Sequence, residues 1–435
     1  MTKHLIWTIG LSLLLCSCLF SFASAQDSIV LTHLFYSSHG TAWLEFLHDR
    51  AEAFHERYPR IRVEIMEGGT GAGYFDKLNL MLAAGTPPDT TDFHPGIAGP
   101  LIAQGAFADL RPYLERDGVD LNEITVGPVV EVLTDVDGSI WSLPGDLFPV
   151  VTYFNEDLFA EAGLMTPVQL GDDWDWDNAL IAARRLTVDF DGDDIIDQYG
   201  LDRMYARWYI WVWQAGGALY DRLIDPTQSY WTDPKVAAGF AFPVAVFEQN
   251  VAPRLGTPNI ANYHFWTGRS AMSLVDGPGI VRASLRDVDF NWDVAPQVRG
   301  PEHAGSEIAV SGFQMVSQTR YPEETWLWLS FLTLENESVE RFVEITGRTP
   351  ALSELFAEYP RLNEHAPKNW IAYFQTASLP QSQSQYVLPE GTAIGAVVNP
   401  RVNAVFSGQM PLETALQEIH ELVTVILNER HGDGR

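Results

Sequence analysis

Four aspartates between residues 187 and 200 have the spacing of metal ligands. They stand at positions 1, 3, 5 and 9 of a calcium-binding loop, and they are Asp189, Asp191, Asp193 and Asp197. Alternate carboxylates in such a loop can curl around a hard cation. Asp194 replaces the usual glycine and Gly200 replaces the bidentate glutamate. The spacing predicts a structural calcium ion, and the alternative is a solvated acidic turn without metal.

A second group of residues with possible binding chemistry is the aromatic run at 205–213, YARWYIWVW. Aromatic rings stack on the apolar faces of sugar rings, while neighbouring polar groups take the hydroxyls. We therefore predict Trp208 and Trp211 as stacking platforms. The alternative is that these rings fill a protein core.

Composition favours binding over catalysis. The sequence has no Gly-x-Ser-x-Gly motif, its histidines lack zinc spacing, and its two cysteines, Cys16 and Cys18, lie in the first twenty residues. Paired carboxylates leave a secreted carbohydrate-active hydrolase as an alternative, but 57 acidic residues make some pair inevitable. The net charge of −30 repels nucleic-acid phosphates, so we expect no nucleic-acid partner. Apart from the possible calcium we expect no cofactor.

The elements around these residues begin with a β–loop–α–β unit. Apolar and periodic patterns predict strands at 29–36 and 60–66 with a helix at 43–58 between them. This order gives parallel strands, and ligands of parallel sheets bind beyond the carboxyl ends of the strands. Ser38 and His39, in the polar loop after the first strand, are therefore candidate ligand contacts. The alternative is an ordinary solvated loop.

A third strand is predicted at 90–93, after a helix that starts near Tyr74. It ends at Asp92, Phe93 and His94, which the same rule places at the ligand side of the sheet. We list these three residues and Tyr74 as candidate ligand contacts, although a lone histidine is more often structural.

Several motifs resemble the periplasmic sugar-binding proteins related to maltose-binding protein. They occur in the family's order and comprise GTPPD at 85–89, the crossing segment at 141–164, FWTGRSAM at 265–272 followed by DGPG at 276–279, and GRTPA at 347–351. The resemblance implies an α/β periplasmic binding protein fold, in which two α/β lobes joined by a hinge enclose a ligand cleft.

The resemblance also implies further ligand contacts. They lie in the crossing segment, the glycine-rich turn, the segment 311–313 that resembles a third crossing, and the Gly-x-x-Pro turn; they are Asp146, Phe148, Asp276, Gly277, Phe313 and Arg348. The family often has an aromatic residue where this chain has Gly279, which puts one stacking contact in doubt.

The resemblance divides the chain into a first lobe of residues 26–145 plus about 295–314 and a second lobe of residues 146–294 plus about 315–435. It implies a monomeric substrate-binding subunit of an ABC transporter that captures a mono- or oligosaccharide and presents it to a membrane permease. The alternative ligands are non-sugar solutes such as glycerol phosphate, a polyamine or a peptide.

The first 25 residues read as an export signal. A positive start, an apolar stretch and the small residues that end at Ala25 predict a cleaved signal peptide. The alternative is an imperfect lipobox in which Cys18 carries a lipid. Both interpretations place the mature protein in the periplasm or at the cell surface.

Overall fold

A computed structural model describes residues 28–126 and 128–432 of the chain. The predicted signal segment 1–25, with Cys18 and the Ala25 cleavage site, lies outside these residues. The strands are β1 (Ile29–Phe35), β2 (Ile61–Glu67), β3 (Thr90–Phe93), β4 (Leu143–Pro149), β5 (Val151–Asn155), β6 (Tyr199–Leu201), β7 (Ser270–Asp276), β8 (Trp292–Ala295), β9 (Ile308–Met315) and β10 (Thr349–Pro350).

The helices follow the same numbering rule, with short 3₁₀ and π segments left unlabelled. They are α1 (Thr41–Arg57), α2 (Gly71–Ala83), α3 (Gly99–Ala103), α4 (Arg111–Asp117), α5 (Leu121–Ile124), α6 (Val129–Val132), α7 (Glu156–Glu161), α8 (Pro167–Leu170), α9 (Trp176–Arg185), α10 (Tyr209–Gln214), α11 (Pro234–Glu248), α12 (Pro322–Thr333), α13 (Asn336–Thr346), α14 (Tyr359–Leu362), α15 (Ile371–Ala377), α16 (Gly391–Phe406) and α17 (Leu412–Gly432).

The first lobe is built on a six-stranded sheet of order β10-β4-β9-β3-β1-β2. β1 runs parallel to β2 and to β3, whereas β9 runs antiparallel to both β3 and β4. The parallel arrangement predicted for the first three strands is confirmed. The carboxyl ends of β1 and β3 therefore meet at one edge, where the loops that follow them lie side by side.

Local sequence explains how α1 follows β1. Gly40 precedes the helix at φ +89°, a backbone conformation that glycine adopts without steric cost. The helix then buries Trp43, Leu47 and Phe54, which recur at helical spacing, in the core of the first lobe. This packing fixes the direction in which the loop before α1 approaches the sheet edge.

The second lobe is built on a four-stranded sheet of order β6-β7-β5-β8. α7 leaves β5 directly, and the Asn155 side chain accepts a hydrogen bond from the Leu158 amide at 3.1 Å, which caps the helix as predicted. Helices α9, α10, α11, α16 and α17 contribute apolar side chains to the core of this lobe.

Three chain segments join the lobes and lie beside one another. The first passes from β4 to β5 at Val150, whose amide donates to the Glu307 carbonyl at 2.9 Å. The second runs from β8 to β9, and the Ile308 amide donates to the carbonyl of Gln383, in the third segment between α15 and α16, at 2.9 Å. Backbone hydrogen bonds therefore connect the three crossing segments, which together form the hinge.

Two predictions about the lobes are corrected by this arrangement. Segment 311–313 is not a crossing, since it lies inside β9 and pairs with β3 and β4 of the first sheet. The second correction concerns residues 315–362, which the sequence assigned to the second lobe. Helices α12 and α13 pack on the first lobe, because their apolar faces complete its core, and only the chain beyond the third crossing returns to the second lobe.

Candidate functional site

Asp92 supports the first-lobe wall of the cleft from inside the lobe. This side chain is fully buried at the end of β3, and its Oδ1 accepts a hydrogen bond from the Tyr36 amide at 2.7 Å. The bond fixes the start of the loop that carries Ser38 and His39. Ser38 is exposed, whereas the His39 ring stacks on Trp43 with centroids 4.2 Å apart. Asp92 therefore positions the loop from inside the lobe.

Two histidines flank the Asp92 carboxylate. His33 Nε2 lies 3.6 Å and His39 Nε2 lies 3.9 Å from its oxygens. Burial raises the pKa of Asp92, although the neighbouring His33 opposes the rise. Burial, assisted by Arg348, holds the pKa of His39 well below its ordinary value. His39 is therefore neutral at physiological pH and can both donate and accept hydrogen bonds.

His94, at the end of β3, is half-buried in the same wall. Burial lowers its pKa to about 4, with Glu307 and Asp146 opposing that effect and Arg207 adding to it. Groups of both lobes and of the hinge therefore influence the charge of His94. Its role as a ligand contact stays a prediction.

The floor of the cleft is formed by Phe148 of β4 and the glycine-rich turn after β7. A Cβ atom on Gly277 would lie 2.6 Å from the Phe148 ring, and one on Gly279 would lie 2.9 Å from it. Glycine at both positions therefore lets the turn lie directly against the ring. The missing aromatic residue at 279 is explained by this contact, since Phe148 already fills the space.

Arg348 lies at the border between the first-lobe wall and the floor. Its Nη1 donates to Asp146 Oδ2 at 2.8 Å, and the guanidinium carbon lies 5.2 Å from the centroid of the Trp43 ring. The Ser311 amide donates to the other oxygen of Asp146 at 2.7 Å. Asp146 itself is fully buried, so its role is to hold Arg348 in place.

Arg207 occupies the second-lobe wall. It donates to the fully buried carboxylate of Glu307, and its guanidinium carbon lies 5.2 Å from the centroid of the Phe148 ring. The Tyr209 hydroxyl donates to the same carboxylate at 2.7 Å, and the Gln385 amide donates to it at 2.8 Å. Glu307 thus joins the second lobe to the hinge.

Arg203 has a similar environment on the same wall. It donates to Asp276, and its guanidinium carbon lies 4.8 Å from the centroid of the Trp266 ring. Ser273 donates to Asp276 at 2.7 Å. Burial lowers the pKa of Arg203, but the carboxylates of Asp202 and Asp276 outweigh it and raise the pKa above its ordinary value. The guanidinium is permanently charged and held in one plane.

Several predicted ligand contacts lie inside the protein instead. Trp211 is fully buried, and its ring packs edge-on against Phe242 at 5.2 Å, because its face of α10 is the one that packs on α11. The prediction that Trp211 stacks a sugar is therefore wrong. Trp208 is half-buried and lies 5.2 Å from Phe240 with one face covered. For Trp208 the stacking role stays a prediction.

Three more predicted contacts belong to the core of the first lobe. Tyr74, Phe93 and Phe313 are almost completely buried there. The Tyr74 hydroxyl donates to the Leu34 carbonyl at 3.2 Å, which turns the side chain towards the sheet. These residues support the wall and do not form its surface.

Arg203, Arg207 and Glu307 were not predicted from the sequence. A signal was present for the arginines, since Arg207 lies within the aromatic run and Arg203 lies two residues before it, in a chain with only 27 basic residues. Glu307 had no recognisable signal, because a single glutamate among 57 acidic residues is inconspicuous until the hinge brings it against Arg207.

The aspartate loop forms a separate cluster in the second lobe. One carboxylate oxygen each from Asp189, Asp191 and Asp197 lie within 4.8 Å of one another, and Asp193 is not part of this group. The cluster fits a hard cation through its oxygen donors. The calcium site stays a prediction.

Comparison with known proteins identifies the family. Residues 37–336 match the family described as bacterial extracellular solute-binding protein. The chain belongs to this family. Members bind solutes for uptake, so this solute-binding protein is not an enzyme, as predicted.

One curated relative and many solved structures resemble this solute-binding protein along most of its length. The relative is a maltooligosaccharide ABC transporter solute-binding lipoprotein of Streptococcus pneumoniae, 22% identical over 401 residues, which are 89% of this chain and 87% of the relative. A substrate-binding protein from Listeria monocytogenes in complex with cycloalternan has a TM-score of 0.75 at 22% identity, covering 93% of this chain and 100% of that one.

A cyclic α-maltosyl-1,6-maltose binding protein from Arthrobacter globiformis also has a TM-score of 0.75, at 16% identity and with the same coverage of both chains. These likenesses confirm the predicted two-lobe fold of the solute-binding protein. Among the residues the structure describes, no helix is both long enough and apolar enough to cross a membrane.

Proposed function

We propose that this protein captures a neutral mono- or oligosaccharide between its lobes for import by an ABC transporter. The observation that carries the proposal is the junction of the two lobes, where three arginines each lie over an aromatic ring. The arginines offer hydrogen bonds to hydroxyls, and the partly exposed rings of Phe148 and Trp266 offer apolar surface to the faces of sugar rings. The printed name of the Streptococcus pneumoniae relative supports a maltooligosaccharide or a similar glucan.

A thermal-shift screen followed by calorimetry tests this function. Purified protein lacking residues 1–25 is mixed with maltose, maltotriose, maltotetraose and a cyclic glucan, and with glycerol phosphate, spermidine and a short peptide as non-sugar solutes. We expect a rise in Tm with at least one sugar, because a ligand that binds only the folded state stabilises it. A rise with a non-sugar solute alone contradicts the proposal.

The same samples examine the hydrolase alternative. Chromatography of the sugars after a day of incubation is expected to show them unchanged. Release of shorter sugars by the purified protein would contradict the assignment as a binder.

Hinge closure around the sugar provides the signal for a membrane permease in this proposal. In this proposal the protein acts as a monomer. Light scattering of the purified protein, with and without sugar, is expected to give the mass of one chain; a stable dimer would contradict this part.

Export and anchoring complete the proposed function. The coarse expectation of an exported protein agrees with the family description, and the lipoprotein relative supports lipid attachment at Cys18. Expression of the full chain and of a Cys18→Ser variant, followed by separation of membrane and soluble fractions, tests the anchor. We expect only the native chain in the membrane fraction, and equal distribution of both would favour cleavage after Ala25.

A further inference from the structure

Three arginines of the cleft share one arrangement. Each donates to a carboxylate that is less than one-tenth exposed, and each guanidinium lies over an aromatic ring: Arg203 with Asp276 and Trp266, Arg207 with Glu307 and Phe148, and Arg348 with Asp146 and Trp43. A guanidinium that is hydrogen-bonded to a carboxylate along one edge and covered by an aromatic ring on one face is held in a fixed plane. Its remaining N–H groups then point in fixed directions.

These three groups are connected through Phe148 and the glycine-rich turn after β7. Phe148 contacts Arg207, and the turn at Gly277 and Gly279 packs on the same ring. A Cβ on Gly279 would lie 3.8 Å from the guanidinium carbon of Arg348. Asp276, the partner of Arg203, directly precedes Gly277. The arginines therefore stand around the floor of the cleft, two from the second lobe and one from the first.

The backbone at two of these positions is unusual. Arg203 and Arg207 have φ of +42° and +48°. The other non-glycine residues with positive φ in the part of the chain that the structure describes are aspartates or asparagines, which tolerate this conformation better than arginine does. Such strain persists where surrounding contacts hold it and is concentrated at functional sites. Here the buried carboxylates hold both arginines at the cleft.

Each arginine also keeps part of its side chain accessible. The exposed fractions are 20% for Arg203, 24% for Arg207 and 18% for Arg348, although their carboxylate partners are almost fully buried. Arg203 Nε also donates to Asp202 and Arg348 Nη2 also donates to the His39 carbonyl, each at 3.3 Å. Arginine has five N–H donors, and these bonds use only some of them. The remaining donors are available to oxygen atoms of a ligand.

The local charge determines whether these N–H donors favour a charged or a neutral ligand oxygen. The three arginines are surrounded by four carboxylates, those of Asp146, Asp202, Asp276 and Glu307. The positive charge of the donors is therefore already balanced, and a ligand carboxylate or phosphate would enter a region with one excess negative charge. Hydroxyl oxygens accept hydrogen bonds without adding charge.

We propose that Arg203, Arg207 and Arg348 are the specificity-determining residues of the cleft and bind neighbouring hydroxyl pairs of a neutral sugar through their N–H forks. This inference rests on the proposed carbohydrate function and names the residues that carry it. It replaces stacking on Trp211 as the main source of sugar recognition, since that ring is buried.

Lysine variants test the inference. Arg203→Lys, Arg207→Lys and Arg348→Lys keep the positive charge beside each buried carboxylate but remove the planar fork. Arg222→Lys is the matched control, because Arg222 is an exposed second-lobe arginine that pairs with Asp225 and with none of the four carboxylates around the cleft arginines. Calorimetric titration uses the sugar that gives the largest thermal shift with the wild-type protein.

We expect each cleft variant to bind that sugar about 10- to 100-fold more weakly, as loss of charge-assisted hydrogen bonds does, with the control within about twofold of the wild type. Cleft variants that are folded and bind as tightly as the wild type overturn the inference while leaving the carbohydrate function intact. A wild-type protein that binds no sugar overturns the carbohydrate function itself and the inference with it.

Two further measurements do not depend on folded variants. A crystal structure of the wild-type protein with the sugar is expected to place hydroxyl oxygens within hydrogen-bond distance of at least two of the three guanidinium groups; a sugar that contacts none of them overturns the inference. A competition titration with an oligogalacturonate is expected to show much weaker binding than the neutral sugar. Tighter binding of the acidic sugar overturns the charge argument.

Discussion

The two walls of the cleft are built by different means. The first-lobe wall consists of loops that follow parallel strands, and the Asp92 side chain fixes them through the Tyr36 amide. The second-lobe wall is one segment between β6 and α10, whose arginines are held by carboxylates from distant parts of the chain. Local order therefore creates the first wall, whereas the second wall exists only once the hinge and the turn after β7 have come together.

The largest expected effect concerns the support of the second wall. Trp211→Ala should lower the free energy of unfolding by about 3–5 kcal/mol, because it leaves a cavity in the core beneath α10. Urea denaturation followed by circular dichroism measures it. Phe190→Ala is the control, since that ring is 71% exposed and its loss should change stability by less than about 0.5 kcal/mol. Unchanged stability with lost sugar binding would instead make Trp211 a ligand contact.

The first wall should respond to pH. The pKa of His94 is about 4 in the folded protein, below its ordinary value near 6.5. Between these values the unfolded chain binds a proton that the folded chain does not, so stability falls as the pH falls. His94 alone contributes a loss of roughly 2 kcal/mol between pH 7 and pH 5, and the lowered pKa of His39 acts in the same direction.

Urea denaturation of the wild type and of His94→Gln at several pH values measures this effect. The variant should lose less stability on acidification than the wild type. His48→Gln, at an exposed position of α1, is the control and should keep the wild-type dependence. If the free energy of unfolding of His94→Gln depended on pH as steeply as that of the wild type, His94 would not be the cause of the loss of stability on acidification.

A substitution in the floor, where the two walls meet, should lower stability by a somewhat smaller amount. Gly277→Ala places a methyl group against the Phe148 ring and should cost about 1–2 kcal/mol of stability, as overpacking does. Because Phe148 also supports Arg207, sugar affinity should fall as well. Gly73→Ala is a suitable control, since a Cβ at that helical position meets open space. Equal affinity and stability for Gly277→Ala would show that the floor is not tightly packed.

The smallest expected effect is at the aspartate loop, which precedes β6 in the second lobe. If calcium at about four times its Kd binds only the folded protein, it adds about 1 kcal/mol of stability. The Tm of the wild type should therefore rise with calcium, and that of Asp189→Asn should not. Asp287→Asn removes an exposed carboxylate outside the loop and is the control. A rise of equal size in Asp189→Asn would assign the effect to another site.

The sequence predicted the first wall better than the second, for a structural reason. β1, α1 and β3 follow from short-range patterns, and parallel pairing then places the ends of β1 and β3 together. Their burial was harder to foresee, because Asp92 and Phe93 lie at the same strand end as His94 yet point into the core. A strand end locates the ligand side of a sheet without deciding which side chains reach the surface.

The second wall shows where sequence patterns fail. An aromatic run predicts either a sugar platform or a core, and only packing against α11 decided that Trp211 belongs to the core. Arg207 became recognisable as a site residue only through Glu307, which is 100 residues away in sequence. Contacts over such separations leave no periodic signal.

By itself the sequence determined the first strands and helices and the position of the first-lobe loops, because apolar periodicity and capping residues act over short distances. The two-lobe α/β fold and the solute-binding family followed from the resemblance of its motifs to a known family. Only the tertiary structure decided which aromatic rings are buried, which helices complete the first lobe, and that three arginines surround the floor of the cleft. These features depend on ion pairs and packing between segments that the three hinge crossings bring together.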